Sequence, residues 1–394
     1  MRIFRIMLLA LGTAMLLVAA VWRPLVALPL TKLPTSLNQT LYFTGTYTGF
    51  VNQATGAELA APQRVPLHVT RHIRAVPGKS TSSVLVVNDA SAVTIGRSTS
   101  MSVQQYALDR SSEQNVTSPD AFALVPTNVV GRAGSYSLGP PQGADSAKSY
   151  PLWTDEIGRA VPLTSEPGTT SLDGVSMQRW QYTVTPTPMA PRMVRAMKLP
   201  AAVPFASFEA ELKAKGVDLA AAFNALAPSL TTAQRASLTA ATVAPIPLKY
   251  LYATHARVLV EPATGTVTDI LSAVRSYSAR PDLARLAAAL VPILAAHRSN
   301  PVATQLIAVG RNLADAPAQP LYTLAFHQTP ASAASTTATA AHDGTLIQLV
   351  RLWIPITLAI VGLVLVALGL TGLLRKRTRA KTGVQSPSPE RVIP

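Results

Sequence analysis

His68 and His72 stand four residues apart in PLHVTRHIRAV, and Asp155 is followed at once by Glu156 in WTDEIGRAVPL. These are the pairs whose types and spacing could do chemistry. On a strand, even spacing puts both histidines on one face, as a metal pair requires. A zinc site needs a third and a fourth ligand, and the residue after His68 is Val69 rather than the glutamate of a zincin. Two solvated strand histidines are therefore expected. Asp155 and Glu156 could share acid–base work only if a loop made them converge, because neighbours on a strand point to opposite faces. A solvated turn is expected for them. The chain has no G-x-S-x-G elbow and no Walker loop. It has no cysteine, hence no disulfide, thiolate ligand or thiol nucleophile. A Ser–His–Asp site assembled by the fold stays open, since triads follow geometry rather than chain order. Asp155 or Glu156 would have to meet His255 or another base in a cleft. The expectation is no catalytic residue, no metal and no cofactor.

The elements that must position these residues begin with two apolar segments. Only 13% of the 394 residues are charged and 48% are hydrophobic, against about a quarter charged in soluble domains. Ile6 to Trp22 is 17 residues without a charge, preceded by Arg2 and Arg5. At ~1.5 Å per residue it nearly spans a ~30 Å hydrocarbon core. Pro24 and Pro29 should end that helix. A signal peptide cut after Ala20 is the rival reading. Leu352 to Leu374 is 23 residues without a charge and runs straight into Arg375, Lys376, Arg377, Arg379 and Lys381. Basic residues beside a spanning helix mark the cytoplasmic side. Both termini are expected there, with residues 30–350 outside. Gly362, Gly369 and Gly372 could admit another helix or face lipid. The net charge of +15 is then largely topogenic. Basic residues scattered singly, without aromatic company, argue against nucleic acid.

Between these segments the pattern is mainly β. NQTLYFTGTYTGFV, SVLVVNDASAVTIG, SMSVQQYALD and MQRWQYTVTP carry the β-branched and aromatic residues of strands. PATG (Pro262–Gly265) between two such runs predicts a hairpin. Residues 201–244 change to helical spacing, with Phe205, Phe208 and Leu212 on one face and Asp218, Thr231 and Thr232 as cap residues. The fold expected is a mainly β extracytoplasmic domain, α+β with helical insertions, flanked by two transmembrane α-helices. Its parts are a cytoplasmic N-terminus (1–5), a spanning helix (6–28), a first β-rich part (30–200) and a helical insertion (201–244). A hairpin with a helical segment and last strand (245–330) belongs to the same domain. A linker or juxtamembrane helix (331–350), a second span (352–374) and a basic disordered tail (375–394) complete it.

Several passages give this arrangement a likeness. LTKLPTSLNQTLYFTGTY follows the first helix; YALDRSSEQNV, YPLWTDEIGRAVPL and RVLVEPATGTVTD follow in order, and a closing helix has a basic tail. The chain resembles an actinobacterial membrane family of poorly known function labelled porin PorA-like. The segments 201–244 and 282–315 stand outside the likeness and read as insertions. The resemblance implies a cell-envelope protein, with some members tied to lipoglycan maturation. The expectation is a non-enzymatic accessory factor of envelope glycolipid or lipoglycan assembly or transport. Its partners would be the bilayer and a lipid-linked glycan or envelope-assembly proteins. Trp153, Arg159, Arg179 and Trp180 could contact glycan or phosphate groups, or could be core and surface residues of the sheet. The alternatives are a porin or pore component, and an envelope hydrolase or glycosyltransferase. A barrel pore needs a lipid-facing apolar band, and these strands are rich in Thr, Ser and Arg.

Overall fold

A computed structural model describes residues 2–27, 31–52, 56–123, 125–128 and 131–381. Helix α1 (Arg2–Trp22) leads through a π turn (Arg23–Ala27) to the strands. These are β1 (Asn38–Val51), β2 (Glu58–Ala75), β3 (Val84–Ile95), β4 (Ser98–Asp109), the short β5 (Phe122–Ala123) and β6 (Val125–Asn128), β7 (Tyr150–Thr154), β8 (Arg159–Leu172) and β9 (Val175–Pro188). Helix α2 (Pro191–Ala196) and the two-residue β10 (Ala202–Val203) precede a first group of helices: α3 (Phe205–Ala214), α4 (Leu219–Leu226) and α5 (Thr232–Val243). The hairpin β11 (Ile246–Val260) and β12 (Val267–Pro281) leads to α6 (Ala284–Ala296) and α7 (Pro301–Asp315). Strand β13 (Gln319–Gln328) closes the sheet, and α8 (Pro330–Gln348) passes through a π turn (Leu349–Trp353) into α9 (Ile354–Lys381).

The strands form one antiparallel sheet in the order β6-β5-β4-β3-β2-β1-β13-β12-β11-β9-β8-β7, with β10 beside β11. The chain's ends thus meet in the middle of the sheet, where β1 pairs with β13. The sheet curls into a half-barrel. Gly45 lets it bend there, since a Cβ on that residue would fall 2.7 Å from the Phe326 Cα on β13. The segment Gly131–Ser137 stitches the two far edges together. Tyr136 exchanges backbone bonds with Pro151 and Trp153 at β7 (2.8 and 2.7 Å). On its other side, Asn115 bonds Ser135 and Gly134 (2.7 and 2.9 Å), and the Arg132 Nη1 donates to the Gln105 carbonyl on β4.

Two groups of helices inserted beyond the same end of the sheet, α3–α5 and α6–α7, pack into a cap around Phe208, Leu212, Leu226, Ile293 and Leu306. Asp218 caps α4, and Thr231 with Gln234 forms a capping box on α5, so that Thr232 is its first helical residue. Helix α8 lies on β1 and β12. Its buried side is Ser332, Ala333, Thr336, Thr337, Ala340 and Gly344, small enough to bring helix and sheet close. The Gln328 amide donates to Ser332 and Thr336 (3.1 and 3.3 Å).

At the other end of the sheet α1 packs along α9. A Cβ at Gly12 would lie 2.7 Å from the Gly362 carbonyl oxygen, so the backbones cross in contact. The Trp22 indole donates to the Val350 carbonyl at 2.8 Å. Arg351 donates to Thr31 and to Gln142.

Three boundaries differ from expectation. The α-helical part of the first segment spans 2–22 rather than 6–28, and a π turn carries the backbone past Pro24; residues 28–30 lie outside the described set. Among the described residues one helix, the continuous Pro330–Thr371, is long and apolar enough to cross a membrane, and the apolar part of α1 is shorter. Residues 375–381 are helical rather than disordered, because Arg, Lys and Ala extend a helix readily once the preceding turns have nucleated it. Residues 382–394, and the side chains of Arg2, Arg5, Arg375, Lys376, Arg377, Arg379 and Lys381, lie outside what the structure describes.

Candidate functional site: a chamber inside the curled sheet

Alternate residues of every long strand face inward, as the period of two demands. Leu41, Phe43, Leu67, Val69, Val93, Val258, Ala273 and Leu324 all line one cavity of about 2430 Å³. It is more than twice the ~300–1,000 Å³ of a pocket for a small ligand. Helix α8 supplies Ser335, Thr336 and Thr339 to the wall, and the cap supplies Phe208, Leu212, Leu290 and Leu306. At the end nearest α1 and α9 the lining is Leu33, Leu37, Leu138 and Pro140. The lining residues of β11 run from Leu248 to Val258, a path of about 35 Å along the strand. The chamber wall is mostly apolar.

A belt of charge interrupts that wall. Arg71 on β2 donates twice to Asp89 on β3, at 2.8 and 2.7 Å. Tyr106 on β4 donates to Asp89 at 3.4 Å, and burial, then the neighbouring Asp89 and Asp155 charges, push its hydroxyl well above the ordinary tyrosine range. The Arg132 guanidinium stands 4.6 Å over the Tyr106 ring and donates to Asp155 at 2.7 Å. The same Asp155 oxygen accepts the Trp153 indole N–H at 2.8 Å and lies 3.7 Å from Arg192. Glu156 turns to Arg275 on β12, 3.5 Å away. Close by, Tyr252, Tyr277, Tyr322 and Tyr47 form a run of ring contacts across the four central strands.

The solvated turn expected at Asp155–Glu156 is therefore corrected. Asp155 is 6% exposed, because the β7–β8 turn folds into the chamber to neutralise Arg132, Arg192 and Arg275. The two carboxylates do not converge on His255. That ring is exposed and hydrogen-bonded to Thr183 at 3.0 Å, and Ala256 beside it on β11 lines the chamber, which puts His255 on the outer face. His68 and His72 are both exposed on the outer face of β2, with His72 bonded to Thr40. Among the described residues no three His, Asp or Glu side chains gather to hold a metal ion.

Of the proposed contact residues, Trp153 lines the chamber. Trp180 is wholly buried among Leu163, Val258 and Val260. Arg159 is exposed at the start of β8. Arg179 is half-buried, one residue out of step with Trp180 and so on the opposite face. Sequence reasoning missed Arg71, Asp89, Tyr106, Arg132 and Arg275. The signal available was a charge on the inward register of an apolar strand, as with Arg71 between Val69 and Ile73.

At the lower rim, Glu113 also lines the chamber, and its Oε1 is buried without a hydrogen-bond partner. Burial pushes its carboxyl up to about 8, against the pull of a backbone bond from Gln142 and the charge of Arg351.

No curated protein matches the chain. The sequence profile of the family described as Porin PorA matches residues 4–371, and the chain belongs to that family.

Proposed function

We propose that the half-barrel is a lipid-handling chamber of the cell envelope, acting without catalysis in the assembly or transport of envelope glycolipids or lipoglycans. The observation that carries this reading is the 2430 Å³ cavity, with its mostly apolar wall running from beside α1 and α9 to the helical cap. Such a volume suits acyl chains, which ask for apolar contact over a long path and little directional bonding. In this reading α1 pairs with α9 as a second crossing, both termini are cytoplasmic and the β domain is extracytoplasmic. The crossing of Gly12 with Gly362 supports it, since close backbone packing of small residues holds spanning helices together. Apart from the boundaries corrected above, the domains are those expected from the sequence, with the two helical groups forming the cap.

The test is mass spectrometry of the lipids that leave the cytoplasmic membrane with the purified full chain. Stoichiometric long-chain lipid is expected; a protein recovered without any would sink the reading. A second reading, a pore component, draws on the family's description and on the curled sheet. The outer face offers Thr40, His68, His72 and Arg74, poor neighbours for lipid tails. Conductance steps from the pure chain in a planar bilayer would favour the pore instead.

A further inference from the structure

We propose that Arg275 anchors the acid group of an amphiphile lodged in the chamber, a carboxylate or a phosphodiester whose apolar chains extend along the chamber on both sides. This rests on the chamber reading above. Along β12, the central strand of the wall, the lining residues run Val267, Ile270, Ala273, Arg275, Tyr277, Ala279. Arg275 sits midway, with apolar or aromatic wall on either side as far as Arg280 at the cap end of the strand.

Of the other three interior cations two hold their carboxylates by hydrogen bonds, and the third, Arg192, lies 3.7 Å from Asp155 with Nε and Nη2 buried and unpartnered but does not line the cavity. Arg71 grips Asp89 with two nitrogens, and Arg132 donates to Asp155. Arg275 is different. Its nearest carboxylate oxygen, on Glu156, is 3.5 Å from Nη1, and its Nε is buried with no partner. The side chain keeps 37% of its surface open and lines the cavity. Its guanidinium lies 5.5 Å over the Phe326 ring, which fixes its plane. Burial works against the charge, although the facing Glu156 carboxylate keeps it protonated. A planar fork held in place, with donors left over in an apolar cavity, matches an anion that can accept two parallel hydrogen bonds. Four cations (Arg71, Arg132, Arg192 and Arg275) face three carboxylates (Asp89, Asp155 and Glu156) in this belt. One further anion balances it.

The experiment uses the full chain in nanodiscs and two photoreactive probes of equal chain length, a diazirine fatty acid and the corresponding diazirine fatty alcohol. The wild-type chamber peptides should take up the acid about tenfold more than the alcohol, the order expected of a charge-assisted hydrogen bond. Arg275→Met should bring acid labelling down to the alcohol level and leave alcohol labelling unchanged, which also reports an intact fold. Glu156→Gln, which removes the competing carboxylate, should raise acid labelling. Displacement of the label by excess oleate or by excess dioleoyl phosphatidylglycerol identifies the acid as carboxylate or phosphodiester; displacement by neither overturns the proposal. Equal labelling of wild type by acid and alcohol also overturns it, as does loss of both labels together in Arg275→Met. If neither probe labels chamber peptides in any form, it is the chamber reading itself that fails.

Discussion

Asp155 binds two cations and an indole on one buried oxygen, and its loss should be felt more than that of any surface ion pair. Asp155→Asn would leave Arg132, 3% exposed, without a countercharge. Removing one partner of such a pair costs about 3–5 kcal/mol, and denaturation followed by tryptophan fluorescence should show it, since Trp153 reports from the same cluster. Glu113 predicts a pH dependence. Its carboxyl ionises near 4.5 when unfolded and near 8 in the fold. Between these values the folded chain keeps a proton that the unfolded chain has released, so stability falls as pH rises through the window and stays lost above it. Glu113→Gln should remove that slope and exceed wild type by about 4–5 kcal/mol at pH 8.5, with the two alike near pH 4. Melting curves across that range decide it. Neither residue announces itself in the chain. Asp155 finds Arg132 across 23 positions of turn-rich sequence, and Glu113 owes its shift to burial under segments far away along the chain.

At the scale of elements, local patterns carried further. Phe205, Phe208 and Leu212 stand on one helical face in the sequence and are all buried in the cap. The PATG turn joins β11 to β12 as expected, and Gly265 there adopts φ +69° against the Pro140 carbonyl, which only glycine does without strain. The partner of Gly362 was not legible, because it is Gly12, at the opposite end of the chain. The spacing of glycines within one helix says nothing of a helix 350 residues away. Gly12→Leu should force α1 off α9 at a cost of about 1–3 kcal/mol, the usual penalty of overpacking. Its melting temperature in detergent should fall accordingly. A variant as stable as wild type would mean that the crossing is incidental.

For the whole molecule, β content and helical insertions could be read from composition and period, but the enclosed volume could not. Curvature comes from pairing β1 with β13 and from the seam at Gly131–Ser137, both of them long-range. If the chamber carries lipid, filling it should empty it of ligand. Ser335→Trp and Thr339→Trp add bulk at exposed positions of α8 that line the cavity. Each should cut the lipid recovered with the protein several-fold while the melting temperature holds within a few degrees, since substitutions at exposed positions change stability by about 0.5 kcal/mol or less. Lipid retained in full by both would place it elsewhere.

Helix α8 and helix α9 are one uninterrupted run from Pro330 to Thr371, with a π turn in place of a loop between them. A spanning helix answers a thinner or thicker bilayer by tilting, at a cost of only fractions of a kcal/mol per Å of mismatch. This one cannot tilt as a rigid rod without swinging α8 against β1 and β12. If α9 crosses the bilayer as proposed, a change in membrane thickness would reach the chamber wall through that swing, and the chamber's width would follow the bilayer around it.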